Sequence, residues 1–247
     1  IMASTFNPSN PTVITIHSNG EGATGNFNAH VITAQLGAQA VNMVAVDWSA
    51  VSGMYTQGLS FAVPVAERIA SFVNLLSTAL HYSTNNVRIV GVGLGAHIAG
   101  ITADRVNGVI PLVTAIDPSL VGWTHHPDIL KPGQAAVVEV LHATAGSLGY
   151  DYPLGDLDFY PNGGSYQTSC DADPACSHIL AYVFYAESIS TEGGSRFVGT
   201  ECASYEEAIA ENCTGERGAV FGGLGDKTGQ SGIYSFQTNW QQPYARG

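Results

Sequence analysis

The sequence predicts an α/β domain, with a mostly parallel sheet flanked by helices. Three observations predict it. Short β-branched runs alternate with amphipathic stretches along most of the chain. The 247 residues, 45% of them apolar, are enough to bury one large core, and no linker, repeat or low-complexity tract divides them, so residues 1–247 read as a single domain. The stretch Val87-Arg-Ile-Val-Gly-Val-Gly-Leu-Gly-Ala-His-Ile-Ala-Gly100 reads as a buried strand that turns into a helix through a glycine-rich elbow.

The first β-branched run, residues 12–17, is a candidate strand, and residues 28–40 a candidate helix after it. A second strand is expected at 43–47. Over 63–82, Val65, Ile69, Phe72, Leu76 and Leu80 recur at three- and four-residue spacing, and Pro64 suits a first helical position. A third strand at 87–92 feeds the elbow and a helix over 96–106. Strands at 112–116 and 137–142 and a helix over 177–189 follow. Residues 204–212 look like a short capped helix, because Ser204 is followed by Glu207. Residues 232–238 alternate as an exposed edge strand does. The chain begins a dozen residues before its first good strand, which suggests that edge strands once preceded it.

Composition narrows the class of partner. Twenty acidic residues against eight basic ones give a net charge of −12, which argues against nucleic acid or an anionic membrane surface. The longest nearly apolar run, residues 89–103, is broken by four glycines and His97 and does not read as an integral membrane span. Four cysteines allow three connectivities. Their spacing favours local pairing, Cys170 with Cys176 and Cys202 with Cys213, over buried free thiols. Asn212-Cys-Thr214 is also a glycosylation sequon, with Asn212 as acceptor, and both signals point to a secreted protein. Nothing in the residues specifies an oligomer. No cofactor is expected, and the adjacent His125 and His126 with Asp128 read as a solvated loop rather than a metal site.

The elbow reads Gly91-Val92-Gly93-Leu94-Gly95, where an α/β-hydrolase fold carries GxSxG with the nucleophile on a strained turn. Asp117, after the strand at 112–116, and His178, at the start of a helix, follow Gly93 in the order nucleophile, acid, histidine. Together with Val46-Asp-Trp-Ser49, Asp158-Phe-Tyr-Pro-Asn-Gly-Gly164 and Tyr185-Ala-Glu-Ser188, these motifs resemble the pancreatic lipase family from about residue 12 onward. The resemblance implies that Asp117 is the triad acid and His178 the triad base. Gly93 stands at the lost nucleophile, and Asn19 and Leu94 stand at the backbone donors of the oxyanion hole.

Four departures go with the resemblance. Family enzymes carry His-Gly and a large apolar residue where this chain has His17-Ser18-Asn19. Lys131 and Gln134 stand where a family calcium site has carboxylates, so no metal is expected there. The lid shrinks to residues 171–175 between Cys170 and Cys176, as in venom phospholipases, and no lipid-docking C-terminal domain is expected. Insect yolk proteins of the same family likewise lack the serine.

Serine catalysis needs an oxygen whose proton an imidazole takes, and glycine offers none. The expected protein is therefore a catalytically inactive secreted homologue. It would act as a storage, carrier or structural protein whose cleft holds a lipid, steroid or pigment. The alternative is a lipase or phospholipase using an unconventional nucleophile or a water activated by His178. Ser18 and Ser119 read as turn residues. His97 reads as a packing residue, and Tyr150, Tyr152, Phe159 and Tyr160 as core aromatics or a cleft lining.

Overall fold

The structure is a computed structural model that describes residues 4–190 and 196–247. Strands β1 (Thr12–Ile16), β2 (Asn42–Val46), β3 (Val87–Val92), β4 (Leu112–Ile116), β5 (Val137–Leu141), β6 (Leu157–Pro161), β7 (Val198–Cys202), β8 (Arg217–Val220) and β9 (Gly232–Phe236) form one sheet. Their order is β2-β1-β3-β4-β5-β6-β9-β7-β8. Every neighbouring pair from β2 to β9 is parallel, and β7 runs antiparallel to both β9 and β8.

The helices are α1 (Asn26–Ala38), α2 (Tyr55–Leu80), α3 (Leu94–Arg105), α4 (Pro174–Ile189) and α5 (Tyr205–Ile209). Side chains alternate across a strand. Ile14, Ile89, Val113 and Val138 accordingly enter the cluster under α2 and α3, while Val13, Val90, Leu112 and Val137 enter the one under α1 and α4. Both faces of the central parallel strands are covered, which is why β1, β3, β4 and β5 read as mostly apolar, β-branched runs.

Several expectations need correction. The helix predicted from residue 63 starts at Tyr55, and Pro64 lies inside it. Gly58, Ala62 and Ala66 are buried there, so packing of the first turns outweighs the proline's local preference to start a helix. Among the described residues, α2 is long and apolar enough to cross a membrane by length and composition. Its buried face, Ala62, Ala66, Ile69 and Val73, joins the same apolar cluster as Ile98 and Ile101 of α3. Residues 232–238 do not form an edge. β9 lies between β6 and β7, and the edges are β2 and β8. Strand β6 was not anticipated, because Leu-Asp-Phe-Tyr-Pro carries a carboxylate and a proline, yet all five residues are buried. Ser204 caps α5 as expected, accepting the Glu207 N–H, and the Glu207 carboxylate accepts from Ala203.

Candidate functional site

The topology dictates where a crevice opens. From β1 the chain steps outward to β2, then crosses back to β3 and continues toward β6, so the direction of winding reverses between β1 and β3. Loops leaving the carboxyl ends of strands diverge at such a reversal. Here the loop after β1 carries His17, Ser18 and Asn19, and the turn after β3 carries Gly93.

Gly93 has φ 57° and ψ −119°, a conformation that strains a side chain by about 1–3 kcal/mol and that glycine tolerates. The turn is pinned to β4, since Gly93 N–H donates to the Ile116 carbonyl (3.0 Å) and Ser119 N–H to the Gly93 carbonyl (3.2 Å). The flanking glycines are there for close approach. A Cβ on Gly91 would lie 2.0 Å from the Gly95 carbonyl oxygen, and one on Gly95 would lie 2.1 Å from that of Ile16.

Asp117 and His178 meet as the sequence implied. Asp117, at φ 44°, is fully buried, and its Oδ2 accepts from His178 Nδ1 (2.6 Å) and Thr144 Oγ1 (2.6 Å). Its Oδ1 accepts the N–H groups of Ala143 and Thr144. Burial alone would raise the Asp117 pKa. The bond to and charge of His178, with the Thr144 hydroxyl and the Ala143 amide, outweigh it and hold the pKa below the usual carboxylate value. His178 sits in the second turn of α4 rather than at its start, because Asp173 caps the helix one turn earlier.

A second pair lies beneath. His142 Nε2 meets Asp158 Oδ1 (2.8 Å), its Nδ1 meets the Tyr150 carbonyl (2.8 Å), and the ring stacks on Tyr160. This pair immobilises the end of β5, from which Ala143 and Thr144 reach Asp117. No pattern in the sequence announced it, because His142 follows β5 while Asp158 lies on β6, 16 residues further on.

Sequence reading treated Ser18 as a turn residue, and the structure corrects that. The loop is rigid: His17 Nδ1 bonds to the Ser18 carbonyl (2.7 Å), its Nε2 accepts from Trp48 N–H (3.3 Å), and the ring stacks on Trp48. Ser18 Oγ then accepts the N–H of Leu94 (3.3 Å) and donates to Asn19 Oδ1 (3.2 Å). A Cβ built on Gly93 would lie 2.3 Å from that hydroxyl. Reading His17-Ser18-Asn19 and the elbow as two separate departures hid their contact.

A cavity of about 500 Å³ opens over these groups, lined by Ser18, Asn19, Tyr55, Ser119, Val121, Leu148, His178, Ile179 and Tyr182. Burial pushes Tyr182 up to about 12, helped by Glu21, so the phenol stays neutral. The aromatics singled out from sequence lie elsewhere: Phe159 and Tyr160 are fully buried in the core, Tyr150 is also buried, and Tyr152 is exposed against Tyr205. Residues 171–175 do not line the cavity. They form a tight exposed turn into α4, closed by the Cys170–Cys176 disulfide. A groove of about 550 Å³ between α1 and α4 contains none of the triad positions.

The remaining candidates also have places. Cys202–Cys213 is the second disulfide, and Asn212 beside it is exposed. His126 accepts the Asp128 N–H and packs on Trp123, while Asp128 pairs with Arg105, so this loop is held by protein contacts. Gln134 is buried, accepting from Lys131 N–H.

His97 is a packing residue with an electrostatic consequence. It stacks on Trp123 at 3.9 Å, its Nε2 bonds to the Ser119 carbonyl (2.8 Å) and its Nδ1 accepts the Leu130 N–H. Burial lowers its pKa to about 3, opposed by the Ser119 bond and assisted by His126. The unfolded chain therefore binds a proton that the folded one refuses. This contribution to stability is fully present above about pH 6.5 and is lost as pH drops toward 3, at about 1.4 kcal/mol per unit. Asp117 adds a further loss below its ordinary value of 3.8. The thermal midpoint should fall between pH 6.5 and 4, and His97→Phe should flatten that slope; a midpoint constant over this range in the parent would contradict it.

The chain is similar to known proteins. A family model described as Lipase matches residues 1–244. The chain is 31% identical over 240 residues to a pancreatic triacylglycerol lipase of Myocastor coypus, covering 86% of this chain and 52% of the relative. It is 32% identical over 240 residues to the pancreatic triacylglycerol lipase of Homo sapiens, covering 86% and 51%. The chain thus spans about half the length of the curated relatives it matches. A solved acetylxylan esterase aligns with a TM-score of 0.45 and 14% identity, over 72% of this chain and 94% of that one.

Proposed function

The chain belongs to the lipase family, and from that premise we propose that it is a non-hydrolytic, extracellular member whose cleft holds a hydrophobic molecule with one polar end. The observation that carries this reading is at Gly93. The position offers no nucleophile, and the hydroxyl nearest to it, on Ser18, is bonded to Leu94 and Asn19. An oxygen without a base to take its proton is a poor nucleophile. Loss of a triad member leaves only roughly 10³- to 10⁴-fold acceleration over water.

The cleft itself suits a ligand. Its volume falls within the range of small-molecule sites, and its walls combine Val121, Leu148 and Ile179 with a few polar groups. With Nδ1 committed to Asp117, the other ring nitrogen of His178 is the polar anchor for a hydroxyl or carboxyl end. A lipid, a steroid or a pigment each has this form. Two disulfides fit an oxidising compartment, and the role that follows is storage or carriage outside the cell.

A second reading, an ester hydrolase using Ser18 or a water beside His178, rests on the nearness of that hydroxyl to the elbow. Two measurements separate them: native mass spectrometry of protein purified from its source, and turnover of short-chain and phospholipid esters by the parent and His178→Ala. We expect a retained molecule, weakened retention in His178→Ala and no turnover in either. Parent turnover abolished by His178→Ala would establish the second reading.

A further inference from the structure

We infer that Ser18 and position 93 are a coupled pair: the Ser18 hydroxyl plugs the space where a side chain at 93 begins and occupies the Leu94 amide. The Asp117–His178 pair is then a dormant acyl-transfer centre that only a joint exchange at both positions awakens. This rests on the proposed non-hydrolytic reading and says what enforces it.

The argument is steric first. A Cβ at 93 would lie 2.3 Å from Ser18 Oγ and 3.0 Å from Ser18 Cβ, with Ser119 Oγ at 3.4 Å. Rotation of the hydroxyl removes the first conflict but not the second. The base of the loop is held, because Gly95 brings the start of α3 onto the carbonyls of Ile16 and His17, and His17 is bonded to Trp48. A side chain at 93 and one at 18 therefore crowd each other, and the contact with Ser18 Cβ is relieved only if the loop gives by a few tenths of an ångström.

The second part is electrostatic. The Leu94 N–H opens α3 directly behind Ser18, which lines the cavity, and an N–H donor at a helix start is suited to stabilise a developing oxyanion. It instead donates to Ser18 Oγ. Removing the Ser18 side chain frees this donor and the space together, while the acid and base remain 2.6 Å apart. With a hydroxyl restored at 93, its proton passes to His178 Nε2 as its oxygen bonds to the phosphorus of a fluorophosphonate and the P–F bond breaks, releasing fluoride.

The test compares the parent, Ser18→Gly, Gly93→Ser, Gly93→Ser with Ser18→Ala, and Gly93→Ser with Ser18→Gly. Each is treated with an alkyl fluorophosphonate and followed by intact mass, peptide mapping and thermal midpoint. We expect the parent and Ser18→Gly to stay unlabelled. Gly93→Ser should melt lower and label slowly if at all, the Ala double variant should be intermediate, and the Gly double variant should label at position 93 about a hundredfold faster than Gly93→Ser.

The midpoints read the coupling without any chemistry: Ser18→Gly should return most of what Gly93→Ser loses. A Gly double variant that melts no higher than Gly93→Ser, or that reacts no faster while the parent stays unlabelled, overturns this inference alone. A parent labelled on Ser18 overturns the non-hydrolytic reading and this inference with it.

Discussion

Gly95→Ala is expected to abolish the folded state, or to cost more than about 4 kcal/mol, a large share of the 5–15 kcal/mol that holds a domain together. Position 95 lies in the first turn of α3, where alanine is ordinarily favoured over glycine by about 1 kcal/mol. Here the added methyl would sit 2.1 Å from the Ile16 carbonyl oxygen and 2.7 Å from that of His17. Both obstacles are backbone, so neither can rotate away. Relief requires α3 to lift off β1, and every residue from Leu94 to Ala103 is buried. A suitable control is Gly37→Ala in α1, an exposed site where a Cβ meets nothing within 4 Å. It should stabilise by about 0.4–1 kcal/mol. Urea unfolding of both variants decides the matter, and a Gly95→Ala protein with the parent's midpoint would refute the packing argument.

Lys227→Met should cost about 3–5 kcal/mol, the range for stranding one half of a buried ion pair. Glu139 lies on β5 in the middle of the sheet and is fully buried, and Lys227, 5% exposed, reaches it at 3.1 Å. The carboxylate also accepts from Gly222 N–H (3.0 Å) and Thr114 Oγ1 (3.2 Å), and Lys227 donates to the Val220 carbonyl. Without the ammonium, a charge is left in the interior with only neutral donors. Pairing Lys227→Met with Glu139→Gln removes that charge, and the amide oxygen can still accept from Gly222. We expect the double variant to recover more than half of the loss in denaturant midpoint. Equal destabilisation of the single and double variants would show that the methylene packing of Lys227, rather than charge, is what matters.

The reach of the sequence can be judged from particular residues. Strands β1 to β5 were legible to within a residue or so, because a parallel strand covered on both faces is mostly apolar, as Val87–Val92 is apart from Arg88. Strand β6 was not, since Asp158 is buried only by virtue of His142 and the amides of Leu154 and Gly155, partners that no local pattern reveals. Glu139 and Lys227 were unreadable for the same reason: a charge in a sequence looks like surface until its counter-ion is placed. Asp117 and His178 were found from motif order, and the structure brings them together. Ser18 is legible only as a loop residue, because its meaning depends on a distance to a glycine 75 residues away.

The placement of β9 has a consequence for how the molecule is made. A chain emerging from the ribosome delivers β6 early and β9 late, yet in the finished sheet the two are partners, with β7 and β8 beyond them. Until residue 236 is available, β6 shows an unpaired edge with Phe159 and Tyr160 upon it, and the hairpin of β7 and β8 has nothing to dock on. Such an edge is a template for association with other nascent copies. Synthesis of β9, rather than collapse of the parallel half, is thus the step at which β6 loses its open edge.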